Sequence, residues 1–387
     1  MKRDLRLLLL GTAHSLNHSL FVIAPPLLTL IMADLSVEES VMGTVSMVAS
    51  FIYGFGALIG GPLGDKIGEA KTVFLFLIFS GFSTFIMFAA GAARSIYLFA
   101  FALILMAVWA SLYHPTANSL ISKAFAGHVS ESMGLHGVGG TVGVILAPTI
   151  AWFVGSAFGW PLAFAVFGIL CILFAFLFAK VFSLKANKNN GGASGSIINA
   201  FRIRELWLLL IFNVAIGLFM KGVELFFPTY LQRNRGVDPM WASIAYTLVL
   251  AFGVFGQWIG GKTADMYGSK RVLIVTSIGV CAGLFSLLLL PIHFIGIATF
   301  IVLYGISFYA HQPALNALTG FLSPENQRGA VYGVFFFTSF GVGSISQSIS
   351  GFIARIYGWD AAFYIITIFA LAALILSFKL PDKREQK

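Results

Sequence analysis

Apolar stretches long enough to cross a lipid bilayer follow one another along almost the whole of this sequence. A helix that spans the hydrocarbon core needs roughly 20 apolar residues. Only 10% of the residues are charged and 58% are hydrophobic, so the chain lacks the polar residues that a water-exposed surface requires. We therefore predict an all-α membrane protein. Breaks at polar, glycine or proline residues predict twelve transmembrane helices, over residues 5–32, 40–63, 71–91, 95–122, 131–157, 160–183, 204–231, 240–261, 271–291, 295–321, 329–355 and 360–380.

One long polar stretch, residues 184–203, divides the twelve predicted helices into two sets of six. It is rich in Asn, Gly, Ser and Lys, a composition typical of a linker. We therefore predict an N-terminal six-helix bundle over 1–183, a linker over 184–203 and a C-terminal six-helix bundle over 204–387.

The basic residues predict which side of the membrane each loop faces. An even number of helices places both termini on one side, and that side receives 19 of the 24 Lys and Arg residues. Lys and Arg are enriched on the cytoplasmic side, so both termini and the linker are predicted to be cytoplasmic, in a cytoplasmic (inner) membrane. The net charge of +9 then reflects topology, and no nucleic-acid partner is predicted.

Two charged residues depart from this pattern, in the segment "FMKGVELFF" (219–227). Lys221 is the one basic residue that is assigned to neither side of the membrane, and Glu224 is the one acid well inside a predicted helix. Their spacing places them on one helix face, and charges at this depth are costly unless they are paired or face water. Either the pair only neutralises itself, or Lys221 attracts an anionic solute while Glu224 carries a proton.

Three short segments of the first half recur in the second half at offsets of 200, 198 and 199 residues. The pairs are "GGPLGDKIGEAKTVF" (60–74) with "GGKTADMYGSKRVLI" (260–274), "YHPTANSL" (113–120) with "HQPALNAL" (311–318), and "FGWPLAF" (158–164) with "YGWDAAF" (357–363). A parallel repeat of six helices predicts two bundles related by an axis along the membrane normal.

The loop after the second predicted helix resembles the G-x-x-x-D-R/K-x-G-R/K-R/K motif of the major facilitator superfamily, and the equivalent loop of the second half resembles it too. The matching residues are Gly61, Asp65, Lys66, Gly68 and Lys71, and then Gly261, Asp265, Gly268, Lys270 and Arg271. Glu69, Ala70 and Met266 stand where the motif has basic residues. The resemblance implies the major facilitator fold, two pseudo-symmetric six-helix bundles, with these residues as a gating motif. The alternative is that the two acids are solvated loop residues.

Two further segments, "SLNHSLFVIAPPLL" (15–28) and "LYHPTANSLISK" (112–123), are similar to the fosmidomycin-resistance-like branch of that superfamily, which implies export. The fifth predicted helix carries "GVGGTVGVILAP" (137–148), which partly resembles the superfamily's antiporter motif. Small residues four apart also indicate close helix packing, so both interpretations of this segment stay open.

The resemblance implies that helices 1, 4, 7 and 10 line a central cavity, and most polar residues of the predicted helices fall on those four. The candidate solute-binding residues are His14, Asn17, His18, Tyr113, His114, Lys221, Tyr309, His311 and Gln312, and the candidate proton-coupling residues are Glu224, His18 and His114. His14 and His18 share a helix face. As a pair they are packing residues, proton-titrating groups or metal ligands. Carboxylate and thiolate partners are scarce, so the predicted site contains no metal.

These observations predict a proton-coupled secondary transporter that exports a small amphiphilic or anionic organic solute by alternating access. Uptake of an organic anion with protons is the alternative, and a non-transporting membrane sensor is the alternative from another class, for which an additional soluble domain is expected. No enzyme activity or cofactor is predicted, and the absence of a P-loop glycine run argues against ATP. The expected partners are the solute, protons and the lipid bilayer, and the expected state is a monomer.

Overall fold

The computed structural model describes residues 2–125, 129–184, 202–290, 293–324 and 327–382, and these ranges are helical almost throughout. The all-α prediction is therefore confirmed for the described residues. The chain forms two compact units, residues 1–192 and 193–387. Residues 185–201 of the predicted linker lie outside the described ranges.

Eight helices build the first unit and seven build the described part of the second. The first contains α1 (Lys2–Val22), α2 (Ala24–Leu35), α3 (Glu39–Ile67), α4 (Glu69–Ala92), α5 (Ile96–Ser111), α6 (Tyr113–Ala124), α7 (Val129–Phe158) and α8 (Trp160–Val181). The second contains α9 (Arg204–Arg235), α10 (Pro239–Tyr267), α11 (Ser269–Leu289), α12 (His293–Leu322), α13 (Arg328–Phe336), α14 (Ile345–Tyr357) and α15 (Trp359–Lys379).

In the described ranges, eleven helices or helix pairs are long and apolar enough to cross a membrane, judged by length and composition alone. Two of them, α1 with α2 and α5 with α6, are single predicted spans with a short break. The predicted span 329–355 is built differently. A π-helical turn at Phe337–Gly341 and a 3-10 turn at Val342–Ser344 separate α13 from α14, so neither of these helices is long enough alone.

The internal repeat is visible in the backbone of the two motif loops. Gly68 joins α3 to α4 with φ of +101°, and Gly268 joins α10 to α11 with φ of +89°. Side chains other than glycine rarely adopt such angles, so the motif glycine sets a one-residue turn in both halves. The halves differ further along the chain, because α5 and α6 are separated at Leu112 whereas α12 continues through Pro313.

Candidate functional site

The second unit buries an ion pair halfway along α9. The Lys221 ammonium lies 3.0 Å and 2.9 Å from the two carboxylate oxygens of Glu224. The Lys221 side chain is 3% exposed and that of Glu224 is 23% exposed. The ring of Phe340 closes another side of the ammonium, with its centroid 4.7 Å from Nζ. The cation is therefore enclosed by a carboxylate and an aromatic face.

Two further ion pairs lie at helix ends. Arg235, the last residue of α9, contacts Asp360 at 3.2 Å, and Arg94, between α4 and α5, contacts Asp34 at 3.4 Å. Each pair has one member open to solvent, since Arg94 is 77% exposed and Asp360 is 49% exposed, and such pairs contribute little free energy. Lys221 and Glu224 differ because they are placed within the span.

Three tyrosines lie within electrostatic range of Glu224. They are Tyr246 on α10 and Tyr304 and Tyr309 on α12. The Tyr246 hydroxyl is buried and has no hydrogen-bond partner among the described residues. The sequence predicted Tyr309 but missed Tyr246, because the eighth helix was not among the four chosen as lining helices.

The π-helical turn of the second unit positions Phe340 over Lys221. A π turn interrupts the regular backbone hydrogen bonds of a helix, and the side chain of Asn213 on α9 bonds to the backbone at this point. Its amide donates to the Phe335 carbonyl at 2.7 Å and accepts from the Ser339 hydroxyl at 2.8 Å. The aromatic partner of Lys221 is thus fixed by a long-range contact that the local sequence does not reveal.

The remaining predicted residues of α12 bond to other groups. The imidazole N–H of His311 donates to the carbonyl of Phe308. The Gln312 side chain accepts from Gln257 on α10 at 3.1 Å. Tyr309 therefore lies within electrostatic range of Glu224, whereas His311 and Gln312 have hydrogen-bond partners elsewhere in the unit.

The first unit contains a group of four histidines, which we call the histidine cluster: His14 and His18 on α1, His114 on α6 and His136 on α7. His14 and His136 are buried, and His18 and His114 are half-buried. The Nε2 atoms of His14 and His18 are 2.9 Å apart. The ring centroid of His114 lies 5.0 Å from that of His14 and 5.2 Å from that of His18. His136 stacks on His14 at 4.1 Å. The sequence predicted three of the four.

The hydrogen bonds of the cluster fix which nitrogens carry protons. His14 Nδ1 faces the backbone carbonyl of His136 at 2.8 Å, so it must donate. A neutral His14 then accepts at Nε2, which makes His18 Nε2 the donor of their shared bond. Tyr113 donates to the Leu10 carbonyl at 2.8 Å and therefore accepts from His136 Nε2 at 2.9 Å. These hydrogen bonds are all satisfied when the imidazole rings of His14, His18 and His136 are neutral.

His136 was missed because it lies on the fifth predicted helix, outside the four chosen as lining helices. A histidine inside any membrane helix is itself a signal of function. A search for histidines in all twelve predicted helices would therefore have found this residue.

Asn17 connects three helices of the first unit. Its amide donates to the Ala110 carbonyl at 3.0 Å and accepts from the Tyr53 hydroxyl at 3.0 Å. The side chain is fully buried. Both ends of this predicted solute-binding residue are therefore engaged with protein groups.

The glycine-rich segment of α7 packs directly on α1. A Cβ added at Gly139 would lie 2.6 Å from the Cα of Gly11, and one added at Gly143 would overlap the backbone of Ser15. A Cβ at Gly140 would lie 2.7 Å from Nδ1 of His14. These contacts support the packing interpretation of the segment.

In the motif loops, the predicted charges Lys66, Lys71, Asp265 and Arg271 are exposed, Lys270 is half-buried, and the side chain of Asp65 lies outside the described part of the structure. Gly61 and Gly261 occupy matching positions, since an added Cβ would lie 3.8 Å from Pro115 in one half and 3.8 Å from Pro313 in the other.

Glu69, a departure from the motif, is 4% exposed and pairs with Lys123 of α6. This acid therefore ties the loop to the fourth span.

Comparison with known proteins assigns the fold and the family. A family model described as Major Facilitator Superfamily matches residues 7–347. The fosmidomycin resistance protein of Escherichia coli (strain K12) is 24% identical over 291 residues, which cover 73% of this chain and 70% of the relative. The hexuronate transporter of Bacillus subtilis (strain 168) is 24% identical over 399 residues, covering 95% and 92%. The crystal structure of a D-xylose-proton symporter superposes with a TM-score of 0.77 at 15% identity, covering 98% of each chain.

Proposed function

Because the chain belongs to the Major Facilitator Superfamily and is a multi-pass membrane transporter of the secondary type, we propose that it moves a small organic anion across the cytoplasmic membrane together with protons. It acts as a monomer by alternating access. The observation that carries this proposal is the ion pair of Lys221 and Glu224, enclosed in the middle of α9.

In the proposed mechanism, the ion pair couples the solute to the proton. Both carboxylate oxygens of Glu224 bond to the Lys221 ammonium, so an anionic solute must compete with Glu224 for the same donors. Protonation of Glu224 removes its negative charge and releases the ammonium. An anion bound to Lys221 in turn leaves Glu224 without its cation, which favours the protonated acid. Anion and proton therefore help each other to bind, which is the linkage of symport.

Export by proton exchange is the second candidate, and the likeness to a fosmidomycin resistance protein favours it. Exchange requires that solute and proton exclude each other. A solute that interacts with the ionised form of Glu224 satisfies this condition, and an amphiphilic solute with a basic group is such a molecule. Exchange comes second because protonation of Glu224 leaves the Lys221 ammonium without its anionic partner, which favours an organic anion at that position.

The pH dependence of binding separates the two candidates. Fosmidomycin and D-glucuronate are the first probes, followed by a panel of organic anions and of amphiphilic solutes with a basic group, with the thermal stability of the purified protein as the readout. Symport predicts tighter binding of the probe as the pH falls, and exchange predicts weaker binding. Affinity that is independent of pH in both the native protein and Glu224→Gln would exclude Glu224 as the coupling residue.

Glu224→Gln tests the coupling step in proteoliposomes. The amide cannot exchange a proton, so accumulation driven by a pH gradient is expected to be lost while solute exchange at equal pH persists. The matched control is Asp238→Asn, an acid-to-amide change at the exposed start of α10, which leaves accumulation unchanged. Gradient-driven accumulation that survives in Glu224→Gln would contradict the proposal.

A further inference from the structure

We propose that His14, His18 and His114 form a binding site for a first-row transition-metal ion, for which Zn²⁺ is the test case. One candidate ligand nitrogen from each residue lies within 4.8 Å of the other two. The sequence showed only the pair on α1, and the fold adds the third histidine from α6. The inference is independent of the proposed function, which rests on Lys221 and Glu224.

The distance between His14 and His18 is close to that of two ligands on one ion. Their Nε2 atoms are 2.9 Å apart. Two imidazole nitrogens at about 2.0–2.1 Å from a tetrahedral zinc ion are about 3.3 Å apart. A small rotation of either ring is therefore sufficient, and the ion takes the place of the proton that the two nitrogens share in the metal-free protein.

The surroundings of His14 orient it as a metal ligand. A metal-binding histidine usually donates its second ring N–H to a carbonyl or carboxylate, which fixes the ring and directs the other nitrogen at the ion. His14 Nδ1 donates to the carbonyl of His136 at 2.8 Å, leaving Nε2 with its lone pair. The ring of His136 stacks on it at an interplanar angle of 8°, and Gly140 leaves the space that the ring needs.

The ligand set indicates which ions the site takes. Imidazole suits Zn, Cu, Ni and Fe, whereas Mg²⁺ and Ca²⁺ prefer oxygen ligands. No acid or cysteine among the described residues joins the three histidines in this group. Three neutral ligands leave a coordination position open, so the bound ion attracts water or an anion to that position.

Zinc titration of the full-length protein in detergent tests the site. The protein is purified through a histidine-free tag, stripped with EDTA and titrated with Zn²⁺ in competition with a chromophoric chelator. We expect one ion per chain, and at least tenfold weaker binding in each of His14→Gln, His18→Gln and His114→Gln. His293→Gln, which removes a histidine from the second unit, leaves the affinity unchanged.

Two results would overturn the proposal: no competition for Zn²⁺ by the native protein, or equally tight binding by the three cluster variants. Gel filtration and melting temperature establish whether each variant is folded. Should the variants fail to fold, X-ray absorption at the zinc edge of the native protein decides the question. Scattering from two or three imidazole rings supports the site, and a shell of oxygen ligands alone rejects it.

Discussion

At the scale of single residues, Lys221 and Glu224 are the side chains on which function and stability both depend. Removal of one member of a buried ion pair typically costs about 3–5 kcal/mol, because the other charge remains buried without a partner, whereas joint removal is often tolerated. Lys221→Ala is therefore expected to lower the melting temperature, and Lys221→Ala with Glu224→Gln to recover most of it.

Binding by the same variants separates a structural pair from a functional one. If Lys221 binds the anionic group, the double variant regains stability but does not bind the anionic probe, while neutral solutes of similar shape lose much less affinity. Melting temperature and probe affinity are measured for both single variants and the double. Restored probe affinity in the double variant would mean that the pair serves only to neutralise itself.

The sequence predicted the charged residues of the site more readily than their neighbours. Lys221, Glu224, His14 and His18 are unusual for a membrane helix, so composition alone singles them out. Phe340 is one of 40 phenylalanines, and nothing local marks it as the ring that covers Lys221. Contacts between helices far apart in the sequence decide such neighbours, and a single sequence does not contain them.

At the scale of secondary-structure elements, the crossing of α1 and α7 depends on particular glycines. A Cβ at position 143 would overlap the backbone of Ser15, which cannot rotate away as a side chain can. Overpacking of this kind costs typically about 1–3 kcal/mol. Gly143→Ala is therefore expected to lower the melting temperature of the purified protein.

Gly137→Ala on the same helix is the matched control. A Cβ at that position has no atom of the described residues within 4 Å, and alanine favours the helix more than glycine does. The control should melt at or above the temperature of the native protein. Equal melting temperatures for the two variants would show that α1 and α7 do not cross as closely as described.

The apolar stretches of the sequence predicted where the helices lie, but they did not predict where a helix is interrupted. The sequence predicts one continuous span over residues 329–355, yet this segment contains a π-helical turn at Phe337–Gly341. Asn213 on α9 bonds to the backbone beside that turn, and Gly217 meets Gly343 there in direct backbone contact. The interruption is thus a consequence of packing against α9, which no local pattern encodes.

At the scale of the whole molecule, the two units share a backbone plan and differ in chemistry. The same glycine turn closes the second and eighth spans, as the repeat in the sequence predicted. The histidine cluster belongs to the first unit alone, and the enclosed ion pair belongs to the second among the described residues. The repeat therefore accounts for the fold, while the divergence of the halves accounts for the site.

The orientation of the molecule in the membrane follows from its charges and is the last prediction. The turn between α10 and α11 is flanked by Lys262, Lys270 and Arg271, which predicts the cytoplasmic side. The turn between α14 and α15 has only Arg355 nearby and is predicted to face outwards. Met266 and Tyr357, 61% and 71% exposed, mark these two turns.

Cysteine labelling of intact cells checks this orientation. The native Cys171 and Cys281 are buried and supply the background signal. Tyr357→Cys should react with a membrane-impermeant maleimide added outside, whereas Met266→Cys should react only after the membrane is permeabilised. Because the two turns lie an odd number of spans apart, a reversed insertion would exchange the two results together. Labelling of both from outside would instead mean that the three spans from α11 to α14 do not all cross the bilayer.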